Sequence, residues 1–156
     1  MAADSPATST RTPPILTSEG RAWLQARHDR ITSRLARIED ELGNERSQQL
    51  ISEQQQLVEQ VEALTHVLRD AVAPRELSDD PSIVEVGDEV EVAFSDGSTE
   101  TFLIVHPVEA GMDERRTSMD APLAAAVLGR RPGDRVTVTS PAGAYSCTLL
   151  RRSRLD

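Results

Sequence analysis

Downstream of residue 17, apolar side chains recur at alternating spacings of four and three, through Leu24, Ile31, Leu35, Ile38 and Leu42, with His28 filling the vacant place in the series. A second series with the same alternation runs through Leu50, Gln54, Leu57, Val61, Leu64 and Leu68. Each is the seam of an amphipathic helix that packs against a partner helix. When the chain is folded back on itself, Leu42 meets Leu50, Ile38 meets Gln54, Leu35 meets Leu57, Ile31 meets Val61, His28 meets Leu64 and Leu24 meets Leu68. The residue numbers of every pair add to the same constant. Mirrored seams of this kind predict one antiparallel coiled-coil hairpin over residues 16–72, reversing near Arg46, with Gly43 and Asn44 supplying the turn. Thr17 or Ser18 caps the first helix, and Glu19 suits its first turn. At about 1.5 Å per residue, an arm of roughly 25 residues projects on the order of 35 to 40 Å. The two polar seam positions, His28 and Gln54, are expected to fix register.

After residue 82 the hydrophobic period changes from helical to two. Val90, Val92 and Phe94 alternate with Glu89, Glu91 and Ala93; Ser95-Asp96-Gly97-Ser98 reads as a hairpin turn; Phe102 to Val105 returns as a buried strand. Val136 and Val138 alternate with Thr residues, Pro141-Ala142-Gly143 turns, and Tyr145, Cys147 and Leu149 form a last alternating face. Four strands are expected. Between the pairs, Asp120 to Gly129 reads as a short helix with Asp120 as cap, Pro122 in its first turn and Gly129 at its end. The predicted class is α+β: a helical hairpin followed by an antiparallel β-sheet domain over residues 83–152 with one short helix. Residues 1–15, rich in Ala, Ser, Thr and Pro, read as a disordered leader, residues 73–82 as a linker and residues 153–156 as a tail.

Composition narrows the function. The net charge of −9 argues against duplex DNA as a partner, because phosphate binding needs a basic face. Every cationic residue is Arg, none Lys, for which GC-rich coding is a sufficient explanation. Cys147 is the only cysteine, so no intrachain disulfide forms. No stretch reads as a membrane helix or a signal peptide, and the expected location is cytoplasmic.

Candidate chemistry is sparse. Glu39, Asp40, Glu41 and Glu45 crowd the tip of the arm, where they either attract a divalent cation or simply keep a turn solvated. Arg27, Arg30, Arg34 and Arg37 line one flank of the first helix; they either follow an RNA backbone or an acidic protein wall, or pair across the seam, as Arg34 would with Glu53. Cys147 lies within an alternating strand, and no Ser has a His-paired nucleophile motif, so no catalytic site is expected. No phosphate loop or zinc pattern is present.

This layout resembles the Gre transcript-cleavage factors of bacterial RNA polymerase. Leu16-Thr17-Ser18-Glu19-Gly20 is similar to the family's opening Leu-Thr-x-Glu-Gly. The run from Ser118 to Gly129, followed by Gly133-Asp134 and Ser140-Pro141-Ala142-Gly143, resembles the family's Ser-x-(Asp/Ser)-Ser-Pro-x-Ala block and its continuations. The resemblance implies an FK506-binding-protein-like C-terminal domain that docks on the largest-subunit rim of the polymerase secondary channel through Ser118, Asp120 and Pro122, with Ala121 where the family commonly has Ser. Prolyl isomerase activity is not implied, since the chain has too few aromatics for that pocket.

The resemblance also implies that the hairpin enters the channel. There the family's Asp-Leu-x-Glu-Asn-Ala-Glu-Tyr tip helps hold a second Mg²⁺ for hydrolysis of backtracked RNA. In the aligned stretch here, Asp40 and Asn44 match, but Gly43 replaces the family's Glu and Ser47 its Tyr. Glu41 and Glu45 keep the tip acidic in other directions. The expectation is a monomeric, cofactor-free regulator that contacts the polymerase Mg²⁺ at most transiently, can meet the nascent RNA 3′ end, and inhibits transcription without efficient cleavage. A working cleavage factor and a coiled-coil adaptor unrelated to polymerase are the alternatives.

Overall fold

The computed structural model describes residues 13–74, 80 and 82–154; residues 1–12, 75–79, 81 and 155–156 lie outside that description. Two long helices, α1 (Ser18–Asn44) and α2 (Gln48–Asp70), form the expected hairpin. The Thr17 hydroxyl caps α1 by accepting from the Gly20 amide at 2.9 Å, and Ser47 caps α2 by accepting from the Leu50 amide. Leu24, Ile31, Ile38 and Leu64 are buried at the seam, with Leu35, Leu57, Val61 and Leu68 packed around them. His28 Nε2 lies 3.1 Å from the Thr65 hydroxyl, so this polar seam position bonds across the hairpin. At the open end, the Arg21 guanidinium donates to the carbonyls of Leu68 and Ala71, two of the acceptors that α2 leaves unpaired at its C-terminus.

The reversal is centred near Arg46, as expected, but Gly43 and Asn44 do not form it. α1 continues through Gly43 and Asn44, and the chain turns over Glu45, Arg46 and Ser47, with Glu45 and Ser47 both extended. The extended Ser47 is what lets its side chain reach back to cap α2. Of the leader and linker, most residues lie outside the described ones, but the disorder expected up to residue 15 is corrected at its end. Leu16 donates to the Val72 carbonyl and Val72 to the Pro14 carbonyl, which pairs Ile15 with Val72 and ties the two ends of the hairpin together.

The second half is a five-stranded sheet in the order β3-β2-β1-β5-β4, comprising β1 (Asp88–Phe94), β2 (Thr99–Val105), β3 (Arg116–Ser118), β4 (Arg135–Ser140) and β5 (Gly143–Arg154). All pairs are antiparallel except β2 with β3. The fifth strand was not expected: β3 has three residues and begins with a charged Arg, too short for an alternating pattern to register. The inward side chains Val90, Val92, Phe102, Ile104, Val136, Val138, Cys147 and Leu149 form the core, covered by Ala124 and Val127 of the short helix α3 (Pro122–Val127). A bulge between Glu91 and Val92 skips Leu150, which turns outward and is 41% exposed while Leu149 is fully buried.

Candidate functional site

At the arm's tip, Asp40, Glu41 and Glu45 are all exposed. Glu41 is not free: its Oε2 lies 3.5 Å from Arg34 Nη1, two turns back along α1. Asp40 and Glu45 have no cationic partner among the described residues. Gly43 is exposed, and a Cβ added there would meet nothing within 4 Å. It lies three residues beyond Asp40, on the same face of the helix, which is where a neighbouring carboxylate would stand. Among the described residues no group of His, Cys, Asp or Glu side chains could hold a metal ion.

The arginine flank divides. Arg34 donates through Nε and Nη2 to both oxygens of Glu53 at 2.9 Å, the cross-seam pair considered from the spacing. Its hydrogen bonds hold the Glu53 carboxyl below its ordinary range. Arg27, Arg30 and Arg37 have no ion-pair partner among the described residues, and Arg30 and Arg37 are exposed.

Ser118, Asp120 and Pro122 come together at the end of β3. The Ser118 hydroxyl accepts from the Asp120 amide at 3.1 Å, and the Ala121 amide donates to the Ser118 carbonyl. Asp120 is therefore not the helix cap. Ala121 occupies that place without a side-chain bond, and Pro122 opens α3 with its exposed ring. No described donor bonds the Asp120 carboxylate, which leaves it directed to solvent. Behind this corner lies a largely apolar groove of about 360 Å³ lined by Pro13, Pro14, Ile15, Val86, His106 and Met119. His106 Nδ1 accepts from the Val108 amide, and burial holds the imidazole below its usual pKa.

A third constellation escaped the sequence. Glu109, fully buried on the 3-10 turn Pro107–Glu109, accepts from the Thr17 amide at 2.8 Å and the Thr17 hydroxyl at 2.7 Å. Arg116 donates to Glu109, Asp113 and, at 2.8 Å, Glu19. The available hint was Gly20: glycine in the first turn of a long helix is disfavoured unless something approaches closely.

The chain is thus a helical hairpin joined to a curled, mostly antiparallel sheet, with the acidic tip and the Ser118–Pro122 corner both exposed. Comparison with known proteins gives the family. Residues 79–151 match the family model described as transcription elongation factor, GreA/GreB, C-term. The transcription elongation factor GreA of Chloroflexus aurantiacus is 33% identical over 154 residues, covering 91% of this chain and 98% of that protein. That of Geobacillus kaustophilus is 35% identical over 112 residues, covering 70% of this chain and 71% of that protein. Among solved structures, GreA factor homolog 1 of Thermus thermophilus aligns with a TM-score of 0.40 and 22% identity, covering 91% of this chain and 99% of that one. The chain belongs to the GreA/GreB family of transcription elongation factors.

Proposed function

We propose that this chain binds bacterial RNA polymerase at the rim of the secondary channel through Ser118, Asp120 and Pro122, passes its arm into the channel, and inhibits transcription without efficient transcript cleavage. The observation that carries this is Gly43. In the related cleavage tips an acidic residue at this place stands beside the Asp and the two hold a second Mg²⁺; here Asp40 has no carboxylate one turn away on its own face. Glu41 points elsewhere and is engaged by Arg34. A metal-bound water must be held to within a fraction of an ångström to attack, so a single displaced carboxylate is expected to cost most of the rate.

In this proposal the tip occupies space that nucleotides and the extruded RNA 3′ end would otherwise use. Arg27, Arg30 and Arg37, without an ion-pair partner among the described residues, give the shaft a cationic flank suited to an RNA backbone or an acidic channel wall. The protein contributes no cofactor and no catalytic site of its own; Asp40 and Glu45 approach only the polymerase's Mg²⁺. It acts as a monomer in the cytoplasm. The retained acidity of Asp40 and Glu45 is the feature that favours a working cleavage factor instead. Purified polymerase stalled in backtracked complexes separates the two, because inhibition leaves the RNA at full length and cleavage shortens it. An adaptor role away from polymerase requires that Asp120→Ala and Pro122→Ala leave polymerase capture unchanged.

A further inference from the structure

We infer that Glu109 and Arg116 form a positioning joint that locks the arm at one angle on the sheet domain and ties that angle to the corner at Ser118. The functional consequence rests on the polymerase reading above; the joint itself does not.

Glu109 is fully buried, and a carboxylate withdrawn from water is tolerated only where its oxygens are well partnered. Both are: the Thr17 amide and hydroxyl donate at 2.8 and 2.7 Å, and Arg116 Nε stands 3.5 Å away. The carboxylate also sits at the N-terminus of the 27-residue helix α1, where the helix dipole favours negative charge. The approach is so close that a Cβ on Gly20 would fall 2.0 Å from the Glu109 carboxyl carbon. A methyl there requires the Glu109 carboxylate or α1 itself to shift.

Arg116 completes the lock. Its side chain is 1% exposed, and its nitrogens reach Glu109, Asp113 and Glu19, so it binds the arm's first turn and the sheet domain at once. It also begins β3, whose last residue is Ser118. A three-residue strand thus connects the joint to the proposed docking corner.

Apolar contact across this boundary is made at Val108 and along the groove where Pro13, Pro14 and Ile15 face Val86 and Met119. Among the described residues, Val108 is the only sheet-domain side chain in the hairpin's apolar cluster. Hydrophobic contact has no preferred direction, whereas charge-assisted hydrogen bonds do, so orientation falls to the polar joint. The lever is long. For an arm on the order of 40 Å, a rotation of about 10° at the base moves the tip by about 7 Å, far outside the tolerance of an active centre.

The test uses the full chain in a Cys147→Ala background with spin labels at Arg46→Cys on the tip and Ser95→Cys on the sheet domain. The parent should give one narrow tip-to-domain distance. Gly20→Ala and Arg116→Met should broaden or shift it, and Glu19→Ala, which removes only the outermost bond, should do so less. With polymerase, Gly20→Ala should still bind within about threefold while inhibiting at least about tenfold less, since misplacement by ångströms at a reacting centre is costly. Unchanged narrow distances in both Gly20→Ala and Arg116→Met, with circular dichroism confirming the fold, would overturn the joint. If the parent chain does not bind polymerase, the functional reading fails, while the distance measurement still decides the joint.

Discussion

Arg34 reaches across the hairpin and holds both carboxylate oxygens of Glu53 at 2.9 Å. The pair is solvent-facing, so its worth lies in register as much as in energy. It also draws Glu41 back from the tip, which makes one ion cluster serve both the shaft and the electrostatics of the end.

The first prediction concerns acid sensitivity. Hydrogen bonding to Arg34 lowers the Glu53 carboxyl in the folded state, so its stabilising contribution is present above the unfolded value of about 4.3. It is lost as pH falls through the depressed folded value. Thermal melts of Glu53→Gln should show a lower Tm than the parent at pH 7, and the difference should vanish in strong acid. A difference that persists at low pH would assign the effect to packing.

The second concerns the corner at the end of β3. Asp120 caps nothing and Pro122 is exposed, so Asp120→Ala should leave the melting temperature nearly unchanged. In the docking proposal the same substitution weakens polymerase binding about tenfold, or ~1.4 kcal/mol. Titration calorimetry or a fluorescence binding curve, read beside the melt, checks both halves.

The third tests the bulge in β5. Leu149→Ala removes a fully buried side chain and should cost about 2–5 kcal/mol in chemical unfolding. Leu150→Ala, one residue on but turned outward, should change stability by no more than about 0.5 kcal/mol. A reversed order would place the bulge elsewhere.

How much of this was legible from the residues depends on the range of each interaction. The seams of α1 and α2 announce themselves because a helix repeats its buried face every few residues, and the mirrored spacing of Leu24 to Leu42 against Leu50 to Leu68 sets the pairing as well. The same spacing centres the reversal near Arg46, whereas turn propensity at Gly43 and Asn44 does not decide where α1 ends: the helix runs through both, and an extended Ser47 bonds the Leu50 amide. β3 was hidden by its brevity. Glu109 and Thr17 are 92 residues apart, and nothing local in either marks the other as its partner. The cross-seam partner of Arg34 could be proposed from spacing alone; the partners of Arg116 could not.

The fourth prediction bears on the central claim, that the tip obstructs because it lacks a carboxylate beside Asp40. At Gly43 an added Cβ meets nothing within 4 Å, so Gly43→Glu starts from open space. The most direct measurement is RNA length in stalled, backtracked polymerase complexes treated with the parent chain and with Gly43→Glu. The parent should leave the RNA at full length and inhibit its extension, and Gly43→Glu should shorten it in a way that disappears when Asp40→Ala is added. Vigorous, Asp40-dependent shortening by the parent chain itself would contradict the claim.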